Sequence, residues 1–361
     1  MRKIKTALVG CGKVGHLHAA ALAALPESEF VAVCGRTLEK ANAFAEKYRV
    51  AAFTDVREML AKSEAEAVCI CTPHPQHAAS TIAAAEAGAH VLVEKPLASS
   101  LADCDAMLAA ARANQTIIGT VCQRRFYPPS QRIRRAIDDG KIGQPVLGTA
   151  VMFGWRDEAY YRSDPWRGSW KHEGGGVLVN QSPHLLDLLI WYLGEIDEVF
   201  GYWANLNHPY IEVEDTAVAV VRFKSGALGN IVMSNSQNPA VNARVSVHGA
   251  NGASIGVQTD GGAMFVAGVT ESIEAPFNDI WTIRGEEKFL PQWKEEDARL
   301  FSAVKPMEHF HRLQIQDFLQ AIIEQRPTAV TGEDGRRTVE LFTAIYRATR
   351  EGKAVKFPVN P

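Results

Sequence analysis

Short apolar segments alternate with alanine-rich helical segments through the first third of the chain, which predicts parallel strands joined by helices. The predicted strands are Lys5–Val9, Phe30–Cys34, Ala51–Phe53, Ala67–Cys71, His90–Val93 and Ile117–Val121, and the helices include Leu38–Tyr48, Ala78–Ala87 and Leu101–Ala113. Repeated strand–helix–strand units build a doubly wound parallel sheet. We therefore expect residues 1–122 to form an α/β domain of this type.

The pattern changes after residue 122, where the strand candidates become longer and several alternate apolar and polar positions. An amphipathic helix is predicted over Gln131–Asp139, and the residues Lys224–Ala227 predict a hairpin turn. The strand candidates are Gln144–Phe153, Asp197–Asn205, Thr216–Phe223, Gly226–Ser236, Ala243–Gly249 and Ala253–Gln258, followed by helices over His309–Gln325 and Gly332–Glu351. The stretch Thr259–Val304 has no assignment from its pattern.

These segments predict a second domain, over residues 123–361, of the α+β class with a large, open and mostly antiparallel sheet. Helices cover one face of such a sheet and leave the other face free. A free face of this size often pairs with another copy, so we expect a homodimer or homotetramer formed through this sheet.

Composition and charge exclude several classes of protein. The 361 residues are 47% hydrophobic and 22% charged with a net charge of −3, which is ordinary for a globular protein and argues against nucleic-acid or membrane partners. The chain runs from Met1 directly into the first strand, which leaves no room for a signal peptide. Its six cysteines include no C-x-x-C pair, so we expect a reduced, cytoplasmic protein without a structural metal.

A glycine-rich turn follows the first predicted strand and opens the first helix. Its residues are Gly10, Cys11, Gly12, Lys13, Val14 and Gly15. In this context the glycines permit a tight turn, a close approach of backbone N–H groups to a pyrophosphate, and close packing of helix on strand. The turn therefore predicts a bound dinucleotide.

The end of the second predicted strand bears on which dinucleotide binds. An Asp or Glu there usually grips the ribose 2′-hydroxyl of NAD, but this chain reads Val33-Cys34-Gly35-Arg36. Arg36 offers a fork of donors for a 2′-phosphate, so NADP is slightly favoured over NAD. The alternative is that Arg36 stacks on adenine or faces water, which leaves NAD usable.

Two side chains are candidates for catalysis. Lys95 follows the fifth predicted strand, at the sheet edge where ligands of open α/β sheets bind, although a solvated Lys paired with Glu94 is an equal alternative. His184 is a candidate general acid or base because the usual pKa of histidine lies near working pH. Asp187 is a candidate to orient its ring, with capping or exposure to solvent as equal alternatives. Asn180 lies four residues before His184 and shares its helix face if the helix starts early. From the residues alone, a buried structural histidine that hydrogen-bonds the backbone is the favoured reading of His184.

Several motifs occur together in a defined order. They are Gly10-x-Gly12-x-x-Gly15, Thr72-Pro73 with His77, Ala87-Gly88-x-His90-Val91, Glu94-Lys95-Pro96, and Gly174-Gly175-Gly176 followed by His184-x-x-Asp187. With these motifs the chain resembles the Gfo/Idh/MocA oxidoreductases over nearly its whole length. The resemblance implies an N-terminal Rossmann domain and a C-terminal domain with an open sheet. It also implies hydride transfer between nicotinamide and a hydroxyl-bearing carbon, usually of a sugar, cyclitol or nucleotide sugar.

The resemblance also assigns roles to residues. Lys95 matches the active-site lysine of the family and His184 its acid/base histidine. Many members carry Asp where this chain has Asn180, and because an amide is not a base, we expect Asn180 to hydrogen-bond a substrate hydroxyl. The remaining residues implied to contact cofactor are Thr72, Pro73, His77, Glu94, Gln123, Trp166 and Arg167.

Three further residues are candidates for binding substrate. Arg125 is placed to reach a substrate oxygen, with a structural ion pair as an equal alternative. Tyr161 and Trp166 are candidates for stacking on a sugar ring, although core packing is the commoner use of such residues.

The sequence thus predicts an NAD(P)-dependent dehydrogenase of sugar-like polyols. A glucoside or free sugar oxidised at C3 is favoured over an inositol-like cyclitol, and a nucleotide sugar is the less favoured third candidate. Two other classes stay open: a non-catalytic dinucleotide-binding regulator, and a glycoside-cleaving enzyme that uses NAD transiently.

Overall fold

The computed structural model describes residues 2–260 and 274–361 and divides the chain into two compact units. Unit 1 comprises Met1–Gln123 and Met307–Arg336, and unit 2 comprises Arg124–Pro306 and Arg337–Pro361. The sequence analysis places everything after residue 122 in the second domain, whereas residues 307–336 group with the first unit. The cause is a shared core, because Phe318 and Leu319 are buried in the same hydrophobic cluster as Ile4 and Leu8.

Unit 1 is built on a parallel sheet of six strands with the order β3-β2-β1-β4-β5-β6. The strands are β1 (Ile4–Val9), β2 (Ser28–Cys34), β3 (Ala51–Phe53), β4 (Ala67–Ile70), β5 (His90–Val93) and β6 (Ile118–Thr120). The helices between them are α1 (Lys13–Ala24), α2 (Leu38–Tyr48), α3 (Val56–Ser63), α4 (His77–Glu86) and α5 (Leu101–Ala113). The predicted doubly wound sheet is confirmed. Its order reverses between β1 and β4, which is where such sheets bind their ligands.

Local signals begin the helices of unit 1. The side chains of Thr37, Asp55 and Ser100 accept hydrogen bonds from backbone N–H groups three residues later, at the first turns of α2, α3 and α5. The apolar strands between these caps are buried on both faces, as a parallel sheet covered by helices requires. These short-range signals explain why the β/α alternation could be predicted.

Unit 2 contains a mixed sheet of eight strands in the order β13-β12-β11-β7-β10-β9-β8-β14. The strands are β7 (Pro145–Phe153), β8 (Ile196–Ala204), β9 (Thr216–Phe223), β10 (Leu228–Ser234), β11 (Asn242–Gly249), β12 (Ser254–Asp260), β13 (Phe277–Trp281) and β14 (Val355–Lys356). Only β7 and β10 pair in parallel within this sheet, which confirms the predicted, mostly antiparallel sheet. The predicted hairpin turn is also confirmed, with Gly226 in the left-handed region at φ +89°.

The other α-helices of the described residues lie after residue 127. They are α6 (Pro128–Asp138), α7 (Glu158–Arg162), α8 (Val177–Asn180), α9 (Pro183–Leu193), α10 (Leu290–Ala303), α11 (Pro306–Glu324) and α12 (Gly332–Glu351). The stretch left without assignment contains β13 and α10, while residues 261–273 of that stretch lie outside the described residues. No helix of the described chain combines the length and the apolar character needed to span a membrane.

The two faces of the unit 2 sheet differ. Helices α8 and α9 lie against β7, β9, β10 and β11 on one face. Apolar side chains that share the other face are exposed on four neighbouring strands: Leu147, Tyr202, Val218, Val220 and Leu228. We call this set the exposed sheet face.

Candidate active site

The glycine turn has the geometry of a pyrophosphate-binding loop. A side chain at Gly10, whose φ is +110°, would come within 2.6 Å of the Cys71 carbonyl, and one at Gly15 within 2.2 Å of the Gly10 oxygen. At Gly12 a Cβ would meet no atom of the described residues within 4 Å. Gly12 is also the N-cap of α1 and provides no side-chain cap to that helix. The loop therefore leaves the first amides of a twelve-residue helix open toward an anion, as a dinucleotide requires.

The residues that follow β2 and β4 lie at the same sheet edge as this loop. Arg36 is exposed directly after β2, and no carboxylate stands at that strand end. Thr72 and Pro73 follow β4, and the buried Thr72 hydroxyl has no hydrogen-bond partner among residues 2–260 and 274–361. Gln123 is likewise buried with its side-chain oxygen unpartnered within those ranges. Such buried polar atoms suit contacts with a polar ligand.

His77 bridges two loops at this edge. Its Nε2 lies 2.8 Å from the Thr72 carbonyl oxygen and its Nδ1 lies 3.0 Å from that of Pro96. Burial lowers the pKa of His77, so the neutral ring donates to one of these two carbonyls. The ring is fully buried, which favours a supporting role over the cofactor contact predicted for it.

Glu94 and Lys95 follow β5. Glu94 is buried, and its carboxylate accepts a hydrogen bond from the Nε2 of His18 at 2.8 Å and from the backbone N–H of Lys95 at 3.1 Å. Burial alone favours the neutral acid, but the hydrogen bond and positive charge of His18 outweigh it and hold the pKa of Glu94 at about 2. Lys95 is half-buried beside this ionised carboxylate.

In unit 2, Asn180 ends α8 and His184 opens α9. Pro183 has no N–H to continue a helix, and it stands at the first position of α9. The single early-starting helix on which a shared face depends is replaced by two consecutive helices, joined by Gln181 and Ser182, whose backbones are still right-handed helical. His184 is buried.

Asp187 is held by Arg125. The guanidinium donates two hydrogen bonds to the carboxylate, at 2.8 Å from Nε and 2.6 Å from Nη2, and both residues are buried. Arg125 also lies over the Trp191 ring at 5.1 Å. The geometry favours the structural ion pair as the role of Arg125 over a substrate contact, and it makes Arg125 the partner of the carboxylate expected to orient His184.

Asn180 belongs to a polar group around Tyr160. Its Nδ2 donates to the Tyr160 hydroxyl at 3.2 Å and to the carboxylate of Glu173. The same hydroxyl accepts a hydrogen bond from Arg167 at 2.5 Å, and the Arg167 guanidinium lies over the Trp166 ring at 4.4 Å. Tyr160 and Glu173 could not be identified from the sequence as supports of Asn180, because these hydrogen bonds join positions 20 and 7 residues apart.

Tyr161 packs in the interior of unit 2. It is buried, its ring meets Tyr160 edge-on at 5.1 Å, and its hydroxyl lies 3.4 Å from the amide nitrogen of Asn235. This position favours core packing over the substrate stacking predicted for it.

Glu214 fixes the start of α8 and was also missed. It is fully buried, and its carboxylate accepts hydrogen bonds from the N–H groups of Gly176 (2.8 Å) and Leu178 (3.0 Å) and from the Tyr346 hydroxyl (2.8 Å). Burial raises its pKa to about 7, against the opposing effect of these neutral donors. A side chain at Gly176 would meet the Glu214 carbonyl oxygen at 1.8 Å, so glycine is required there.

The parallel sheet with its open glycine loop is that of a dinucleotide-binding fold. Residues 4–121 match the family model described as "Oxidoreductase family, NAD-binding Rossmann fold", and residues 130–255 match the GFO/IDH/MocA C-terminal domain. The chain belongs to the Gfo/Idh/MocA family, as the sequence analysis predicts. The predicted class of enzyme, a nicotinamide-dependent dehydrogenase, is confirmed with it.

Individual relatives support the same placement. The scyllo-inositol 2-dehydrogenase (NAD(+)) of Bacillus subtilis is 31% identical over 99% of this chain and 97% of its own length. The D-glucoside 3-dehydrogenase of Escherichia coli is 30% identical over 62% of this chain and 68% of its own length. Among solved structures, the WlbA dehydrogenase of Bordetella pertussis in complex with NADH and UDP-GlcNAcA is similar, with a TM-score of 0.87, 28% identity and 99% coverage of both chains.

Proposed function

We propose that this enzyme transfers a hydride between a nicotinamide dinucleotide and a hydroxyl-bearing carbon of a sugar or cyclitol. The observation that carries the proposal is that a chain of this family retains both Lys95, directly after β5, and His184, at the start of α9. A non-catalytic regulator on the same fold has no need to keep both groups.

The proposed chemistry divides between these two residues. A nicotinamide dinucleotide held by the glycine loop would supply the acceptor for the hydride of the substrate carbon. The His184 imidazole takes the proton of the substrate hydroxyl, and the Lys95 ammonium donates a hydrogen bond to the same oxygen as its charge develops. In reduction both residues act in reverse. Asn180 contributes a substrate hydrogen bond and no proton transfer, since an amide is not a base.

The substrate is a ring polyol. The full-length similarity to an inositol dehydrogenase supports a cyclitol, and the shorter similarity to a glucoside 3-dehydrogenase supports oxidation of a glucoside at C3. A nucleotide sugar is the second candidate, favoured by the TM-score of 0.87 to an enzyme in complex with UDP-GlcNAcA.

The finer choice of cofactor rests on Arg36. Its exposed guanidinium, at a strand end without a carboxylate, supports acceptance of a 2′-phosphate and hence of NADP alongside NAD. The exposed sheet face supports assembly into a homodimer or homotetramer, because five apolar side chains on one surface favour burial. A stable monomer in sedimentation would contradict that assembly.

The test is a panel of inositols, sugars, glycosides and nucleotide sugars, followed at 340 nm with NAD and NADP in parallel. On the best substrate, Lys95→Ala and His184→Ala each lower turnover about 10²- to 10⁴-fold and leave NADH binding near normal. The controls are Lys62→Ala, at an exposed ion pair of α3, and His248→Ala, on β11. Full turnover in both active-site variants would refute the assignment. Release of aglycone without net reduction of cofactor would favour the glycosidase class.

A further inference from the structure

Three titratable side chains that the proposed reaction does not use lie close together at the end of β5. His18 lies on α1, Glu94 follows β5, and His311 lies on α11, all within unit 1. All three are buried, and their facing ligand atoms lie within 4.8 Å of one another. We call them the His18–Glu94–His311 cluster.

The cluster has the residue types of a metal site, but its geometry is that of an ion pair. The His18 Nε2 and a Glu94 oxygen are 2.8 Å apart, which is a hydrogen-bond distance. Two ligand atoms that share a tetrahedral cation at about 2.0–2.1 Å lie roughly 3.3 Å apart. The contact therefore describes an imidazole N–H of His18 that donates to a carboxylate oxygen.

The protonation of the His311 and His18 rings follows from the groups that surround each ring. His311 Nδ1 lies 2.7 Å from the Met307 carbonyl oxygen, and because a carbonyl only accepts, this nitrogen carries the proton of the ring. Burial lowers the pKa of His311 to about 4, so the ring is neutral and its Nε2 lone pair faces Glu94 at 3.7 Å. Burial disfavours charge on His18 too, but its contacts with Cys71, Cys69 and Glu94 outweigh it and raise its pKa.

The cluster thus places the Glu94 carboxylate, paired with the protonated ring of His18, next to Lys95. The remaining Glu94 oxygen accepts the backbone N–H of Lys95 at 3.1 Å. The positive charge of Lys95 also lies near enough to lower the pKa of both Glu94 and His311. The position and the charge of Lys95 therefore both depend on the Glu94 carboxylate.

We propose that Glu94, paired with His18 as its counter-ion, is a positioning residue that orients Lys95 for reaction and balances its charge. Glu94 acts through Lys95 and needs no contact with the reacting atoms. The inference rests on the proposed function, in which Lys95 serves the reaction. His311 is the neutral member of the cluster.

The first test replaces the carboxylate by its isostere. Glu94→Gln keeps an oxygen for the Lys95 N–H but removes the negative charge, so kcat falls about 10- to 100-fold while NADH binding is retained. Without the negative charge of Glu94, the Lys95 ammonium loses its proton more easily. The decrease of kcat at alkaline pH therefore begins at a pH lower by at least about 0.5. Glu94→Asp retains the charge and restores that limb.

The matched control is Glu27→Gln. Glu27 is another buried carboxylate of unit 1, held by the side-chain amides of Gln316 and Gln320. This variant keeps the wild-type pH profile. If Lys95→Ala is inactive but Glu94→Gln behaves like Glu27→Gln, the positioning role is wrong and the proposed function survives. If Lys95→Ala is fully active, the proposed function fails first.

A second measurement needs no activity and no active-site variant. In the wild-type protein labelled with ¹⁵N-histidine, the ring shifts of His18 are those of an imidazolium at pH 8, whereas His311 is neutral and protonated on Nδ1. His18→Gln and His311→Gln assign the signals. A neutral His18 at pH 8 would overturn the proposed counter-ion.

Discussion

Two buried glutamates, one in each unit, have pKa values that are shifted in opposite directions. Glu94 in unit 1 has a charged donor, the His18 imidazolium, and its pKa falls to about 2. Burial raises the pKa of Glu214 in unit 2 to about 7, and its three hydrogen bonds from neutral donors oppose that rise without cancelling it. In this pair, a donor that carries positive charge outweighs burial at Glu94, whereas three neutral donors do not outweigh it at Glu214.

The two glutamates also differ in what they hold. Glu94 is next to a candidate catalytic side chain, whereas Glu214 fixes the backbone at the start of α8, which carries Asn180 at its end. Changes at Glu94 should therefore affect turnover and its pH dependence, and changes at Glu214 should affect stability first. Three experiments test this division.

The largest effect is expected from Glu214→Ala. The change leaves two buried N–H groups and the Tyr346 hydroxyl without their acceptor, at a cost of about 4 kcal/mol in the free energy of unfolding. Urea unfolding measures it, with the exposed neighbour Glu212→Ala as the control. A loss below about 1 kcal/mol would mean that water or a rearranged loop replaces the carboxylate.

The next largest effect is the pH dependence of the free energy of unfolding, to which Glu214 and Glu94 contribute in opposite directions. The pKa of Glu214 is raised from the usual 4.5 to about 7, so its contribution to stability is complete below pH 4.5 and is lost as pH rises through 7. The pKa of Glu94 is lowered to about 2, so its contribution is present above pH 4.5 and is lost as pH falls toward 2. Each difference corresponds to about 3 kcal/mol.

Glu214→Gln and Glu94→Gln reveal these opposite slopes when their unfolding free energies are compared with wild type between pH 3 and 8. The wild type loses stability relative to Glu214→Gln as pH rises from 4.5 to 7. It loses stability relative to Glu94→Gln as pH falls below 4.5. If the difference in unfolding free energy between wild type and variant changed with pH in the same direction for both variants, the predicted opposite pKa shifts of Glu214 and Glu94 would be wrong.

The smallest effect is expected from Tyr346→Phe. Removing the hydroxyl deletes one donor to Glu214 and costs about 1 kcal/mol. Because that hydrogen bond favours the ionised acid, its loss moves the titration of Glu214 to higher pH. Tyr192→Phe, which removes a buried hydroxyl from the Ser130 carbonyl, is the control and leaves the titration unchanged.

The parts of the fold that could be predicted are those with local causes. Strands such as His90–Val93 are short apolar runs that end at turn residues, and helices such as Leu38–Tyr48 begin at a capping side chain. Both were predicted with the boundaries observed. The grouping of α11 with unit 1 could not be predicted, because an amphipathic pattern indicates that a helix has a buried face but does not identify the core it joins.

The candidate site divides in the same way. The glycine loop and Lys95 stand in motifs whose chemistry is local, so the sequence alone indicates them. His18 and His311 are 293 positions apart, and the sequence around each of them does not indicate that Glu94 is its partner. Arg125 and Asp187 were likewise singled out separately, and only the fold pairs them.

The return of residues 307–336 to the first unit has a consequence for how the protein is made. Phe318, Leu319 and Ile322 complete a core that the first 123 residues begin. On the ribosome, that core stays open until residues 307–336 have emerged, and a fragment cut after residue 123 would present the same bare apolar surface to water. Chaperones that bind exposed hydrophobic surface should therefore engage the nascent nucleotide-binding unit long after its last strand has been synthesised.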